Sequence, residues 1–414
     1  MKRKGGWAGW VAGVLATAAT LVGPQRASAQ LGAGMDMSAM IAPISSRSLE
    51  SYARILSLDG DQKEAAKALL EGYQAQHRAA VDAFQTEMKS LTPRAIQEEM
   101  QQSQDWMSYG RKVRDMGIKL REGVQGSERN FMEDLKVLLT EKQAEGFVRV
   151  ERARRRENLL RFGFVAGQAV DLFSVAENAK VGARAEVVEL LASYEVEVDR
   201  RLEAFERWQR DQEKQFDNVD PMNVDMGAVS KAMQDAFDRS REIRDVNQRF
   251  ARQIAQALGE GDGERFTDEF KRRAHPRVYR PSHAAKSIRS AEGFADLGEQ
   301  QRADLKVLRE SFEREAAAAN ARWASVIEAE EDKRGANWME EMMQQAMGGG
   351  GKGGDVADAK QAREDLDSRT MDRLLAILSK EQAERLPAKP EPKPSQLGPA
   401  ADMFYLPDLD PENP

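Results

Sequence analysis

The chain has 414 residues, 32% of them charged, no cysteine and a formal net charge of -7, with a mean hydropathy of -0.64. Without cysteine no disulfide can staple the fold, and the acidic balance disfavours generic nucleic-acid binding. Abundant Ala, Glu, Arg and Gln with few β-branched runs is the composition of long solvated helices.

The chain opens with "MKRKGG", an apolar stretch from Trp7 to Gly23, and "ASA" before Gln30. Charged, apolar and small-residue regions in that order predict a secretory signal over 1–29, cleaved near Ala29/Gln30. A lipoprotein signal is excluded, because it needs a cysteine at the cleavage site. Loss of Lys2, Arg3, Lys4 and Arg26 would take the net charge to -11. No later segment approaches the roughly 20 apolar residues of a membrane span, so a soluble periplasmic or secreted product without stable membrane insertion is expected. Residues 30–47 read as a flexible linker. Its Met35, Met37 and Met40 are thioethers that suit Cu(I), but no cysteine or histidine lies near them and incidental linker methionines are the better reading.

Beyond the linker one phrase recurs. "FMEDLKVLLTEKQ" (131–143) aligns with "FARQIAQALGEGD" (250–262) and "TMDRLLAILSKEQ" (370–382), which places Leu139, Leu258 and Leu378 at separations of 119 and 120. A second landmark keeps the period: Gln62 is followed by Leu69 and Tyr73, Gln301 by Leu308 and Phe312, and the middle copy has Ala183 followed by Leu190 and Tyr194. Eleven residues beyond Tyr73, Tyr194 and Phe312 stand Phe84, Phe205 and Trp323, about three helical turns on and so on the same helix face. Three landmarks in register predict a tandem triplication, with repeats over 48–160, 161–280 and 281–387.

Each repeat begins with a long amphipathic helix, as in Val187, Leu191, Tyr194, Val198, Leu202, Phe205 and Trp208, spaced by threes and fours. A break follows ("SLTPRAIQEEM", "NVDPMNVDMG" or "MGGGGKGGDV"), then a second long helix that returns to the leucine-led phrase, then a short charged helix. Two helices joined by a turn make an αα-hairpin with facing apolar stripes. The predicted fold is all-α, tandem long hairpins with no β-sheet and two-thirds to four-fifths helix, well above the usual share.

Thr140 with Gln143, and Ser379 with Gln382, have the spacing of a capping box, and Asp59 with Gln62 puts a carboxylate in the cap role. Leu58, Leu139 and Leu378 precede the cap, where an apolar side chain fixes the approach of the chain. The repeated phrase is therefore expected to be architectural rather than a ligand contact. An exported, cysteine-free helical hairpin bounded by two L-T-x-x-Q phrases resembles the Spy/CpxP family of periplasmic chaperones and envelope-stress proteins, the LTXXQ family. The motif pairs are Leu58–Gln62 with Leu139–Gln143, and Leu297–Gln301 with Leu378–Gln382. The middle copy departs: Ala179–Ala183 and Leu258–Asp262 lack the glutamine, and Gly259, Gly261 and Gly263 are expected to loosen its turn.

The resemblance covers most of Leu49 to Leu386 as three units where the family has one. It implies a cradle-like surface that holds unfolded clients without ATP, which a triplicated chain would build within one molecule. Repeats stacked end to end into a rod are the alternative. Expected partners are unfolded or envelope client proteins, with self-association open and no nucleic acid.

Methionine clusters at the hairpin breaks: Met100 and Met107 beside Trp106, then Met222, Met226 and Met233, then Met339, Met342, Met343 and Met347 beside Trp338. Flexible, polarisable methionine suits surfaces that accept varied apolar partners. The same residues also suit a cap on the hairpin core, and soft-metal binding is a third option.

Other features point away from chemistry. His275 and His283 lie eight apart across Pro276 and Pro281 and make a poor zinc pair. "GGGGKGGD" lacks a preceding strand and has Gly353 where a P-loop needs Ser or Thr after Lys352. Arg149, Arg152, Arg154, Arg155 and Arg156 alternate with Glu151 and Glu157 and read as a solvated helix face at a C-terminal end, attraction to anionic polymers or acidic clients being the other reading. Glu330, Glu331, Asp332, Glu340 and Glu341 lack pocket-forming context. No catalytic residue, metal site or cofactor is expected, and the chain reads as a non-enzyme, either a chaperone-like envelope protein or a helical scaffold or adaptor. The Pro-rich tail, 388–414, is expected to be disordered, with the apolar island Met403–Leu409 either docking or free.

Overall fold

The structure, a computed structural model, describes residues 43–90, 106–216, 225–334 and 354–389. The fold is all-α and 82% helical, with no strand among the described residues, just above the expected helix content. Among the described residues no helix is long and apolar enough to cross a membrane. The chain divides into two compact units: residues up to 160 with 195–232, and 161–194 with 233 onward. The division crosses both long helices of the second repeat.

The first unit contains the first hairpin. Helix α1 (Ser46–Leu56) is capped by Ser45, whose side chain accepts from Ser48 N, and ends on Ser57 in the left-handed region. Helices α2 (Gly60–Ser90) and α3 (Trp106–Val137) pack against each other, and α1 packs on α2 and on α5 (Phe147–Leu159), which follows the one-turn α4 (Glu141–Glu145). Their stripes meet in a core of Leu49, Tyr52, Leu56, Leu70, Tyr73, Phe131, Leu135 and Val150. Each large apolar side chain so buried contributes about 1.5–3 kcal/mol. The Tyr73 and Phe131 rings lie 5.5 Å apart. Part of the second repeat's first long helix, α7 (Ala185–Phe216), also belongs here, with Phe205 and Trp208 stacked.

The second unit begins with an irregular segment, Arg161 to Asp171, of which Gly163 to Val170 is buried. Buried loops need partners for every backbone polar group, and side chains supply them. Asn247 donates to the carbonyls of Gly167 and Gln168, Gln168 accepts from Phe164 N, and both carboxylate oxygens of Glu331 accept from Ala166 N. Then come α6 (Leu172–Asn178), capped by Asp171, the start of α7, α8 (Met226–Leu258), α9 (Asp262–Ala274) and the single turn α10 (Pro276–Tyr279). Helices α7 and α8 meet where Tyr194 packs edge-on against Phe250 at 5.6 Å and donates to Asn247 Oδ1. The third repeat follows with α11 (His283–Glu292), α12 (Glu299–Lys333), α13 (Asp355–Ile377) and α14 (Lys380–Ala383). Its core of Ile288, Leu297, Leu305, Leu308, Phe312, Leu366, Leu374 and Leu378 closes α11, α12 and α13 on one another.

Each repeat therefore carries a short leading helix, α1, α6 or α11, ahead of its hairpin. The sequence reading, with repeats starting at 48, 161 and 281, assigned no helix ahead of the first long one.

Candidate functional site

The leucine-led corners, where the end of a hairpin's second long helix returns to the start of its first, are built from the residues that the sequence singled out. In the first repeat Gln62 Oε1 accepts from Asp59 N while Asp59 Oδ1 accepts from Gln62 N, and Thr140 and Gln143 form the matching capping box. Both glutamines also reach across the corner. Gln62 Nε2 donates to Gln143 Oε1 and Gln143 Nε2 to Gln62 Oε1, both at 2.9 Å, a closed amide pair. Each then donates to the backbone opposite: Gln62 to Leu138 O at 2.7 Å, and Gln143 to Ser57 O at 3.2 Å.

The third repeat has the same reach across its corner, with a single amide-to-amide bond. Gln301 Nε2 donates to Gln382 Oε1 at 2.9 Å and to Ile377 O at 2.8 Å, and Gln382 Nε2 donates to Asp296 O at 3.2 Å. Each accepting carbonyl lies five residues before the opposite glutamine, as in the first repeat. Ser379 caps α14 with Gln382 returning to its N–H, and Gln301 returns to Gly298 N. Leu58, Leu297 and Leu378 are buried behind the clasps, and Leu139 packs partly buried on the first core. Arg385 adds a hydrogen bond to Asp296 that holds this exposed carboxyl below the usual carboxylate range.

The middle corner is built differently. Ala183 offers no amide, and Arg184 beside it bonds Asp262, the residue at the second glutamine's place, at 2.9 Å. Leu258 is buried here, as Leu378 is at the third corner. The expectation that three glycines loosen this turn is corrected. Gly259 and Gly261 take φ of 70° and 76°, a conformation only glycine adopts freely. Gly263 is pressed on the backbone, since a Cβ there would stand 2.3 Å from Ala255 O.

The arginine run is also corrected: it is an ionic network and no solvated face. Arg154 is buried and bonds Glu128 through two nitrogens at 2.9 and 2.7 Å, with Glu157 at 3.3 Å. Burial opposes its charge, but attraction and hydrogen bonding from Glu128 more than offset this and its pKa lies above the ordinary value. Glu157 also accepts from Tyr52 Oη at 2.7 Å. On the other side of α5, Arg149 and Arg156 pair with Glu195, Arg152 with Asp199, and Arg155 with Asp199, Glu203 and Glu206 of α7. The acids recur on α7 at threes and fours, which is the signal that would have matched them to the arginines.

The histidines stand apart. His275 Nε2 is 2.9 Å from Glu328 Oε1, which also accepts from Gln248, and His283 Nε2 is 2.9 Å from Pro387 O.

Of the methionine and tryptophan positions at the breaks, Met100, Met222, Trp338, Met339, Met342, Met343 and Met347 lie outside the described residues. Trp106 and Met107 open α3 and Met226 opens α8, with their side chains outside the described set. Met233 is 3% exposed, a core position. Met35, Met37 and Met40, and the tail from residue 390, also lie outside. No family model, curated protein or solved structure matches this chain.

Proposed function

We propose that this chain is an exported, ATP-independent, chaperone-like protein of the cell envelope that works without catalytic chemistry of its own and resembles the LTXXQ family. The observation that carries the reading is the glutamine clasp. The motif pair behind the resemblance meets at one corner in both the first and third repeats, with an amide-to-amide bond and accepting backbone carbonyls at the same offsets. Hairpins clasped at one end present their opposite ends, where the sequence places methionine and tryptophan, as the surface for unfolded clients. Methionine adapts there to varied apolar segments. The signal-like start at 1–29 supports export, with the periplasm as the site of action.

The test is aggregation suppression. The mature protein, without nucleotide, is mixed with a chemically unfolded client and light scattering is followed. Suppression at near-stoichiometric ratios is expected, and no protection at several-fold excess overturns the reading. Replacing Met339, Met342, Met343 and Met347 together by serine is expected to lower protection while helicity persists.

A second reading, a helical scaffold or adaptor, draws on a different observation. The first and third repeats each close their apolar stripes into a core of their own, and the large apolar side chains left exposed among the described residues are Val137, Val148, Val188, Val196, Val307 and Leu375, spread over five helices. A holdase needs a contiguous apolar patch larger than the few hundred Å² usual on a monomer; a scaffold does not.

A further inference from the structure

We propose that the corner of the second repeat is a salt-responsive joint, at which the start of α7 separates from the start of α9 as ionic strength rises, while the first and third corners stay closed. The three corners occupy equivalent places in equivalent repeats, so their bonding can be compared directly. Two carry a neutral amide clasp. Breaking either leaves amide groups and backbone carbonyls that the clasp had satisfied, such as Leu138 O and Ser57 O in the first repeat, and salt does not screen the clasp; the third corner also carries the exposed Arg385–Asp296 pair beside its clasp.

The middle corner has a charged link where the others have the clasp. Arg184, whose side chain is 51% exposed, reaches Asp262. Each partner also has a local alternative on its own side of the corner: Arg184 already pairs with Glu186, two residues on, at 2.9 Å, and Asp262 already pairs with Arg265, three residues on. When the cross-corner pair parts, neither charge is stranded.

A second link joins α6 to α9 through a hydrogen bond from a neutral amide to a carboxylate. Asn178 of α6 donates to Glu269 of α9 at 3.0 Å, and that carboxylate is shared with Arg272 and Arg273 of its own helix. On the α9 side the turn runs through Gly259 and Gly261, both at positive φ. Exposed pairs such as Arg184–Asp262 are weak and screened, so rising salt removes an attraction across this corner that no amide clasp replaces.

Hydrogen exchange read by mass spectrometry on the full chain tests this. Between about 0.02 M and about 0.5 M sodium chloride the screening length falls from roughly 20 Å to roughly 4 Å. Exchange in peptides covering Val181–Glu186 and Gly259–Arg265 is expected to rise about two- to five-fold, with peptides covering Leu58–Gln62, Leu139–Gln143, Leu297–Gln301 and Leu378–Gln382 unchanged. In Arg184→Met the middle corner is expected to exchange at the high-salt rate already in low salt, and to respond to salt no further. Equal response at all three corners, no response at the second, or a full salt response surviving in Arg184→Met overturns the proposal. The first two outcomes are read on the unsubstituted chain, so a folding defect in the variant cannot mask them.

Discussion

Gln62 and Gln143 each use one oxygen to cap their own helix and one nitrogen to hold the opposite backbone. Such an amide cannot be replaced without stranding several groups at once. Replacing either by alanine is expected to cost about 1–3 kcal/mol, and a double-mutant cycle in urea should give a coupling of about 0.5–3 kcal/mol; additive losses would mean that the two side chains do not act as a pair. Tyr52 and Tyr73 give a second test at this scale. Burial pushes both hydroxyls above their ordinary value of 10.0, with nearby Glu157 adding to it for Tyr52 and Glu128 for Tyr73. The native state therefore holds these protons more tightly than the unfolded chain does. The stability they contribute is complete below about pH 10 and is lost as pH rises from there toward the folded values. Tyrosinate absorbance from these two side chains should appear only with loss of helicity, and ionisation in the intact fold would contradict the burial.

At the scale of single helices, α5 is fixed by charge on two sides, toward Glu128 of α3 and toward the acids of α7. Arg154→Met removes the guanidinium that Glu128 and Glu157 share and leaves those carboxylates in a part-buried site. Loss of one partner of a buried pair costs about 3–5 kcal/mol, read as a lowered denaturation midpoint. Substituting an arginine on a solvated face would change stability by less than ~0.5 kcal/mol, so the measurement separates the two accounts of this run. The sequence alone favoured the wrong one, because the arginines were weighed against their own helix and not against the acids of α7. Caps at Asp59, Thr140 and Ser379 were legible because donor and acceptor sit three residues apart. The glutamine pairs were not, since their partners lie 81 residues away and the capping role already accounted for both side chains. Helices α1, α6 and α11 escaped notice for another reason: at 11, 7 and 10 residues they are too short for periodicity to declare them.

At the scale of the whole molecule the long hairpins and their all-α class were readable from three landmarks in register, because a stripe that must be buried repeats its spacing wherever the module repeats. The division into two units through α7 and α8 was not, since it depends on which stretches of one helix pack with which neighbours. Tandem modules distribute stability locally, so damage at one corner should stay there. The account rests on the motif pair acting as a clasp between chain segments far apart in sequence. Hydrogen exchange on the full-length Gln62→Ala variant measures this most directly. The prediction is that protection falls together in Leu58–Gln62 and in Leu139–Gln143 while Leu297–Gln301 and Leu378–Gln382 keep theirs. Loss confined to the segment that carries the substitution, with Leu139–Gln143 as protected as before, would contradict it.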